Sequence, residues 1–232
     1  MSDKYKIFYS DKFIVYAPSR LAGLVDAINK SEKYNTILKF FNKETFNQTK
    51  INIFDTRAEF LNYLSKIENV GNYPSYCKAN IVNDMINVSI EDLFDESKIL
   101  TRVFHEFTHL VYKSIYSKRV VWFDEGLAMY LSGQMQISDV PRFINEKLEN
   151  KAIFNLNELD HRKNFVGNGY NGYYLSYIAV SYIIDTISHN EIIKLLTDYE
   201  SLEKMGENIL DNVYNYYKTR KSWMEKSRFT TF

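Results

Sequence analysis

The chain has 232 residues, 45% of them hydrophobic, enough to take about 70% of its unfolded surface out of water and build a core. Lys+Arg 29 against Asp+Glu 29 leaves formal net charge zero, so no global field draws DNA, RNA or an anionic membrane. A single cysteine, Cys77, excludes an internal disulfide framework and a multi-cysteine zinc site, and 8 Gly with 3 Pro exclude collagenous or Pro-rich disorder.

The first residues carry charges and no apolar run long enough for a signal segment, and nothing approaches the run of about 20 apolar residues that spans a membrane. A soluble, cytoplasmic protein is predicted; a chain trimmed of a signal or anchor would read the same. Residues 7–17 (IFYSDKFIVYA) read as one strand or a hairpin, ended by Pro18 and Ser19, and Leu21 to Phe41 carries apolar residues at helical spacing. Ile51 to Phe54 reads as a short strand. Thr56 to Ile67 reads as an amphipathic helix capped by Asp55 or Thr56. After a turn at Gly71–Pro74, Tyr76 to Val82 and Met85 to Ile90 form a predicted hairpin around Asn83-Asp84, with Met85–Ile90 as a sheet edge on which an extended peptide could dock.

From Ser97 onward the pattern is helical, with helices predicted near 97–117, 123–132, 140–150, 172–187, 189–199 and 202–218. Asn164–Gly172 is the most loop-like stretch, and KSWMEKSRFTTF reads as a helix end or tail. Strands first and helices afterwards predict an α+β fold. The chain is expected to be one domain over 1–232, with a mixed lobe over about 1–118 and a helical lobe over about 119–232.

Residues 105–109 read His-Glu-Phe-Thr-His, using two of only four histidines. With this composition the pattern arises by chance in about half a percent of chains. On a helix, positions i and i+4 share a face, so two imidazoles can converge on one ion. Glu106 sits about 100° round, near enough to reach a water on that ion. Ile99, Leu100, Val103, Phe104, Phe107, Leu110 and Val111 form an apolar stripe roughly opposite the histidines. Two surface histidines beside a chance Glu are the competing interpretation. Sixteen residues after His109 comes Glu125, within WFDEGLAMY, and a carboxylate suits the third ligand position. Gly126 would let its helix come close to the histidine helix; alternatively Asp124 and Glu125 merely favour a helix N-terminus.

HEFTH followed by WFDEGLAMY resembles the gluzincin metallopeptidases, in particular the peptidase-MA-like families, whose second helix reads W-x-x-E-G-x-A-x-Y. The likeness is strong over roughly 98–132 and looser over 50–190. The spacer between His109 and Glu125 is shorter than in the thermolysin and aminopeptidase branches, which leaves the branch open. The resemblance implies a zincin-like fold: a small mixed N-terminal sheet with helices, over an HExxH helix, and a helical C-terminal lobe. It implies one zinc ion per chain held by His105, His109 and Glu125, with Glu106 as general base. It also implies a later Tyr as oxyanion donor; Tyr173 is in register at the start of the helix expected from 172, with Tyr174 or His161 as alternatives. The expected function is a zinc peptidase acting on peptide or protein, endo- or oligopeptidase rather than exopeptidase. The alternatives are a non-catalytic module that keeps the metal as a staple and a metal hydrolase for another substrate. Cys77 reads as a buried small hydrophobe and His189 as a capping or surface residue.

Overall fold

A computed structural model describes residues 4–68, 77–90, 95–116, 118–141, 144, 155–160 and 162–229, with the backbone alone at 68, 160, 162–171 and 223–229. The chain divides into two compact units, Met1–Val111 and Tyr112–Phe232.

The first unit is built on a five-stranded mixed sheet: β1 (Tyr5–Tyr9), β2 (Phe13–Pro18), β3 (Thr49–Phe54), β4 (Ala79–Val82) and β5 (Met85–Ser89), in the order β1-β2-β3-β5-β4. Of the two readings of residues 7–17, one strand or a hairpin, the hairpin is found: β1 pairs antiparallel with β2, with Ile7 opposite Tyr16. β3 runs parallel to both β2 and β5, which needs a crossover on each side. The first is α1 (Ala22–Lys30) with α2 (Lys33–Phe40), and the second contains α3 (Arg57–Glu68). β4 and β5 join through Asn83 (φ 51°) and Asp84 (φ 57°), whose left-handed conformations match the turn favoured by the strand twist.

One sheet face carries Phe13, Val15, Ile51, Ile53, Ile86 and Val88, all at most 1% exposed. Against it lies α4 (Glu96–Ile115), the helix that bears the HExxH motif. Phe13 meets Phe104 and Phe107 edge-on, at centroid distances of 6.3 and 5.8 Å, and Tyr34 of α2 stacks on Phe107 at 5.1 Å. α3 covers the other face, where Phe54, Phe60, Leu64 and Val82 form a second cluster with Cys77 half-buried beside it.

The expectation that Met85–Ile90 is a sheet edge is overturned. β5 lies between β3 and β4, so its ladder groups are engaged on both sides and no peptide can add to it. The alternation of Asn87 and Ser89 with apolar residues does not mark a wet face. Both are instead fully buried beneath α3 and hydrogen-bonded. Asn52 Nδ2 donates to Asn87 Oδ1 at 3.0 Å, Asn87 Nδ2 donates to the Met85 carbonyl, and Ser89 Oγ donates to the Lys78 carbonyl.

The second unit is helical: α5 (Val121–Ser132), α6 (Arg162–Thr186), α7 (His189–Thr197), α8 (Tyr199–Asn208) and α9 (Leu210–Phe229). α5 ends at Gly133 (φ 68°), whose N–H and that of Gln134 close back onto Tyr130 and Met129. Its Trp122 is fully buried and donates its indole N–H to Asn157 Oδ1 at 3.1 Å.

Two helix boundaries differ from expectation. Asn164–Gly172 is helical, because α6 starts at Arg162 rather than near 172. Each glycine costs about 1 kcal/mol in a helix interior, but the apolar burial of Leu175, Ile178, Ala179, Val180 and Ile183 downstream holds the helix. The single helix expected over 202–218 is instead α8 and α9, parted at Ile209, and α9 continues to Phe229 through most of the expected tail. The Gly71–Pro74 turn and most of the 140–150 helix lie outside the described residues. Among the described residues no helix is long and apolar enough to cross a membrane.

Candidate metal centre

The HExxH residues are held by a helix with little freedom to move. Ile99, Val103, Phe104, Phe107, Leu110 and Val111 of the α4 stripe are at most 5% exposed, while Leu100 is half-buried. The opposite face is covered as well: His105 is 8% and Tyr112 3% exposed, with His109 and Glu106 half-buried. Burial, assisted by the charge of Asp124, pushes the Tyr112 phenol well above its usual range.

His105 Nε2 and His109 Nε2 stand 3.1 Å apart, with the rings nearly perpendicular at 85°. One ligand atom from each of His105, His109 and Glu125 falls within 4.8 Å of the others. Two nitrogens bound to one tetrahedral ion at about 2.0–2.1 Å lie about 3.3 Å apart, so the observed spacing is close to a shared-ligand geometry. Two imidazoles and a carboxylate also form the donor set of an open zinc-type site with three protein ligands. The residues therefore fit a divalent ion.

Glu125 lies in the first turns of α5 and is itself held. Arg119, just ahead of the helix, donates from Nη2 to Glu125 Oε1 at 2.8 Å and from Nε to Asp124 Oδ2. Asp124 is 3% exposed and Glu125 13%, whereas the Arg119 side chain is half open to solvent. Desolvation alone would lower the guanidinium's pKa, but the two carboxylates reverse it and leave it raised. Arg119 was not anticipated from the sequence. The available signal was an arginine five and six residues before an Asp-Glu pair, too common a pattern to single out.

A family model described as the Peptidase MA superfamily matches residues 67–224, well over half of the chain and including both motifs. The chain belongs to that superfamily. No curated protein matches it. As a superfamily member it carries the HExxH…E pattern with all three ligand candidates brought together, and its mixed sheet and helices agree with a zincin-like fold.

The remaining sequence candidates are placed differently. Tyr173 and Tyr174 are half-buried well inside α6 rather than at a helix start, since the helix begins eleven residues before Tyr173, at Arg162. His161 lies outside the described residues. His189 is exposed in the first turn of α7, where Ser188, not His189, is the cap: Glu191 N–H donates to Ser188 Oγ and Ser188 N–H to Glu191 Oε2. Gly126 serves a close approach to α6. A Cβ there would stand 2.4 Å from the Ser176 carbonyl oxygen and 2.5 Å from Val180 Cγ2.

Proposed function

We propose that this chain is a zinc-dependent peptidase that hydrolyses peptide bonds with Glu106 as general base. The observation that carries this reading is the convergence of His105, His109 and Glu125 within 4.8 Å in a chain whose HExxH motif also supplies a glutamate directly after the first histidine. A purely structural site has no use for that glutamate and is generally closed by a fourth protein ligand.

The two imidazoles and the Glu125 carboxylate would hold the ion. When bound, zinc supplies Lewis acidity toward water and the substrate carbonyl. Glu106, a quarter-turn round α4 from the ligands and half-buried, takes the proton of the attacking water and delivers it to the leaving amine. Tyr173 is our candidate for the hydroxyl that meets the developing negative charge on the carbonyl oxygen. Its support is positional: Ser176, three residues on, packs its carbonyl against Gly126, the neighbour of Glu125, so Tyr173 lies about 4.5 Å along the helix axis from that approach. The substrate class is peptide or protein, and endo- or oligopeptidase action is proposed over exopeptidase action.

Glu106→Gln tests the reading. It keeps the shape and removes the base, so zinc content and fold should persist while cleavage of a mixed peptide library falls about 10²–10⁴-fold. Cleavage at the parental rate would remove Glu106 from the mechanism. A zinc-loaded parent that cleaves no peptide would favour a non-catalytic module. Peptides blocked at both termini should still be cut if the enzyme is an endopeptidase. Tyr173→Phe should lower kcat more than it changes KM, because its hydroxyl acts in the transition state; unchanged kcat would end its assignment.

A further inference from the structure

Consecutive residues on a helix diverge by about 100°, so the carboxylates of Asp124 and Glu125 do not meet by default. Here one edge of the Arg119 guanidinium spans them, with Nε on Asp124 and Nη2 on Glu125. The two contacts are unequal in kind. Asp124 is almost sealed from water and sits in the first turn of a helix whose Trp122 and Phe123 are fully buried, so it is a fixed point. Arg119 thus links the buried Asp124 to Glu125. A glutamate side chain left to itself samples several rotamers and loses that freedom on ligation. A carboxylate has about four acceptor directions, so a guanidinium on Oε1 leaves Glu125 able to ligate a metal.

We infer that Arg119 is a positioning residue of the metal centre: anchored by Asp124, it holds the Glu125 carboxylate in its ligating orientation before the ion arrives. The inference rests on the metal reading above and deepens it. Arginine is suited to the task because its planar edge offers two parallel donors, whereas a lysine ammonium is a point charge that cannot hold two diverging carboxylates in one geometry. Outer contacts of this kind commonly set metal affinity by 10–100-fold.

The test is zinc affinity of the apo chain, by competition with a chromophoric chelator, together with the visible spectrum of the cobalt(II)-substituted protein. Arg119→Ala leaves Asp124 buried beside no guanidinium and can fail to fold. Arg119→Ala/Asp124→Asn removes both charges, and Arg119→Lys keeps the charge without the fork; folding of each is checked by circular dichroism. The folded variants should bind zinc about 10–100-fold more weakly than the parent and show an altered cobalt spectrum, with Arg119→Lys the milder. Zinc affinity and cobalt spectrum unchanged from the parent in Arg119→Lys and in the double variant would overturn the role of Arg119 while leaving the metal site standing. A parent chain that binds no zinc at all would overturn both.

Discussion

Two clusters of charged side chains flank the starts of helices in this molecule, and they are composed differently. Ahead of α3, Asp55 is engaged by Lys4 at 2.7 Å and by Arg20, while Glu59 takes the Tyr5 hydroxyl at 2.7 Å and Lys4 at 3.3 Å. Those two carboxylates face two cations, and the group is electrically closed. At the start of α5 the Arg119 guanidinium reaches two carboxylates, those of Asp124 and Glu125. The second of those carboxylates, Glu125, also lies within reach of two imidazole nitrogens. The first arrangement is what an ion-paired surface looks like; the second adjoins a group of His105, His109 and Glu125 that could hold a metal ion.

If that contrast is right, zinc should stabilise the chain through one cluster and not the other. Free zinc at about 100 times its Kd should add about 2.7 kcal/mol to the parent by mass action. The thermal shift should disappear in Glu125→Ala and survive in Asp55→Asn; a shift retained in Glu125→Ala would erase the distinction. Next in size is Gly126→Ala. Its methyl group would press on the Ser176 carbonyl of α6, costing about 1–3 kcal/mol in chemical denaturation. Because Gly126 adjoins Glu125, zinc affinity should fall too, and a variant as stable as the parent would refute the close approach.

The smallest effect belongs to the closed cluster. The Lys4 hydrogen bond, opposed by burial and helped by Arg20, lowers the Asp55 carboxyl; the Tyr5 hydroxyl, opposed by burial and helped by Lys4, lowers that of Glu59. Burial and then the Glu59 hydrogen bond raise the Tyr5 phenol to about 12. Carboxyls lowered on folding contribute stability that is fully present above their unfolded values of about 4, and it is lost as pH falls below them through the folded values. Because the cluster is largely exposed, solvent screening keeps the contribution of each pair small. Asp55→Asn should slightly flatten the acid limb of a stability–pH profile, and a profile identical to the parent would show the cluster to be energetically idle.

The same two regions separate what the sequence could convey from what it could not. The ligand histidines were legible because i and i+4 on a helix fix their convergence locally, and Glu125 was legible from its motif. The Asn83-Asp84 turn was legible for a similar reason: two consecutive residues that tolerate left-handed backbone, between apolar runs. Arg119 was not, since its partners are chosen by how a long side chain crosses from a loop onto a helix. The inner position of β5 was hidden because its parallel partner β3 lies on the far side of α3 in the chain, and buried Asn87 and Ser89 mimic a solvent face. Likewise, the glycines near 164–172 carry a local penalty that packing farther along α6 outweighs, and no local pattern reports such packing.

The central claim is that His105, His109 and Glu125 form one metal centre. Its most direct test is zinc content after equilibrium dialysis of the purified parent, His109→Ala, Glu125→Ala and Asp55→Asn chains. The account predicts one zinc per chain in the parent and in Asp55→Asn, with the ion largely lost from the other two. No zinc in the parent, or parental zinc in either ligand variant, would contradict it.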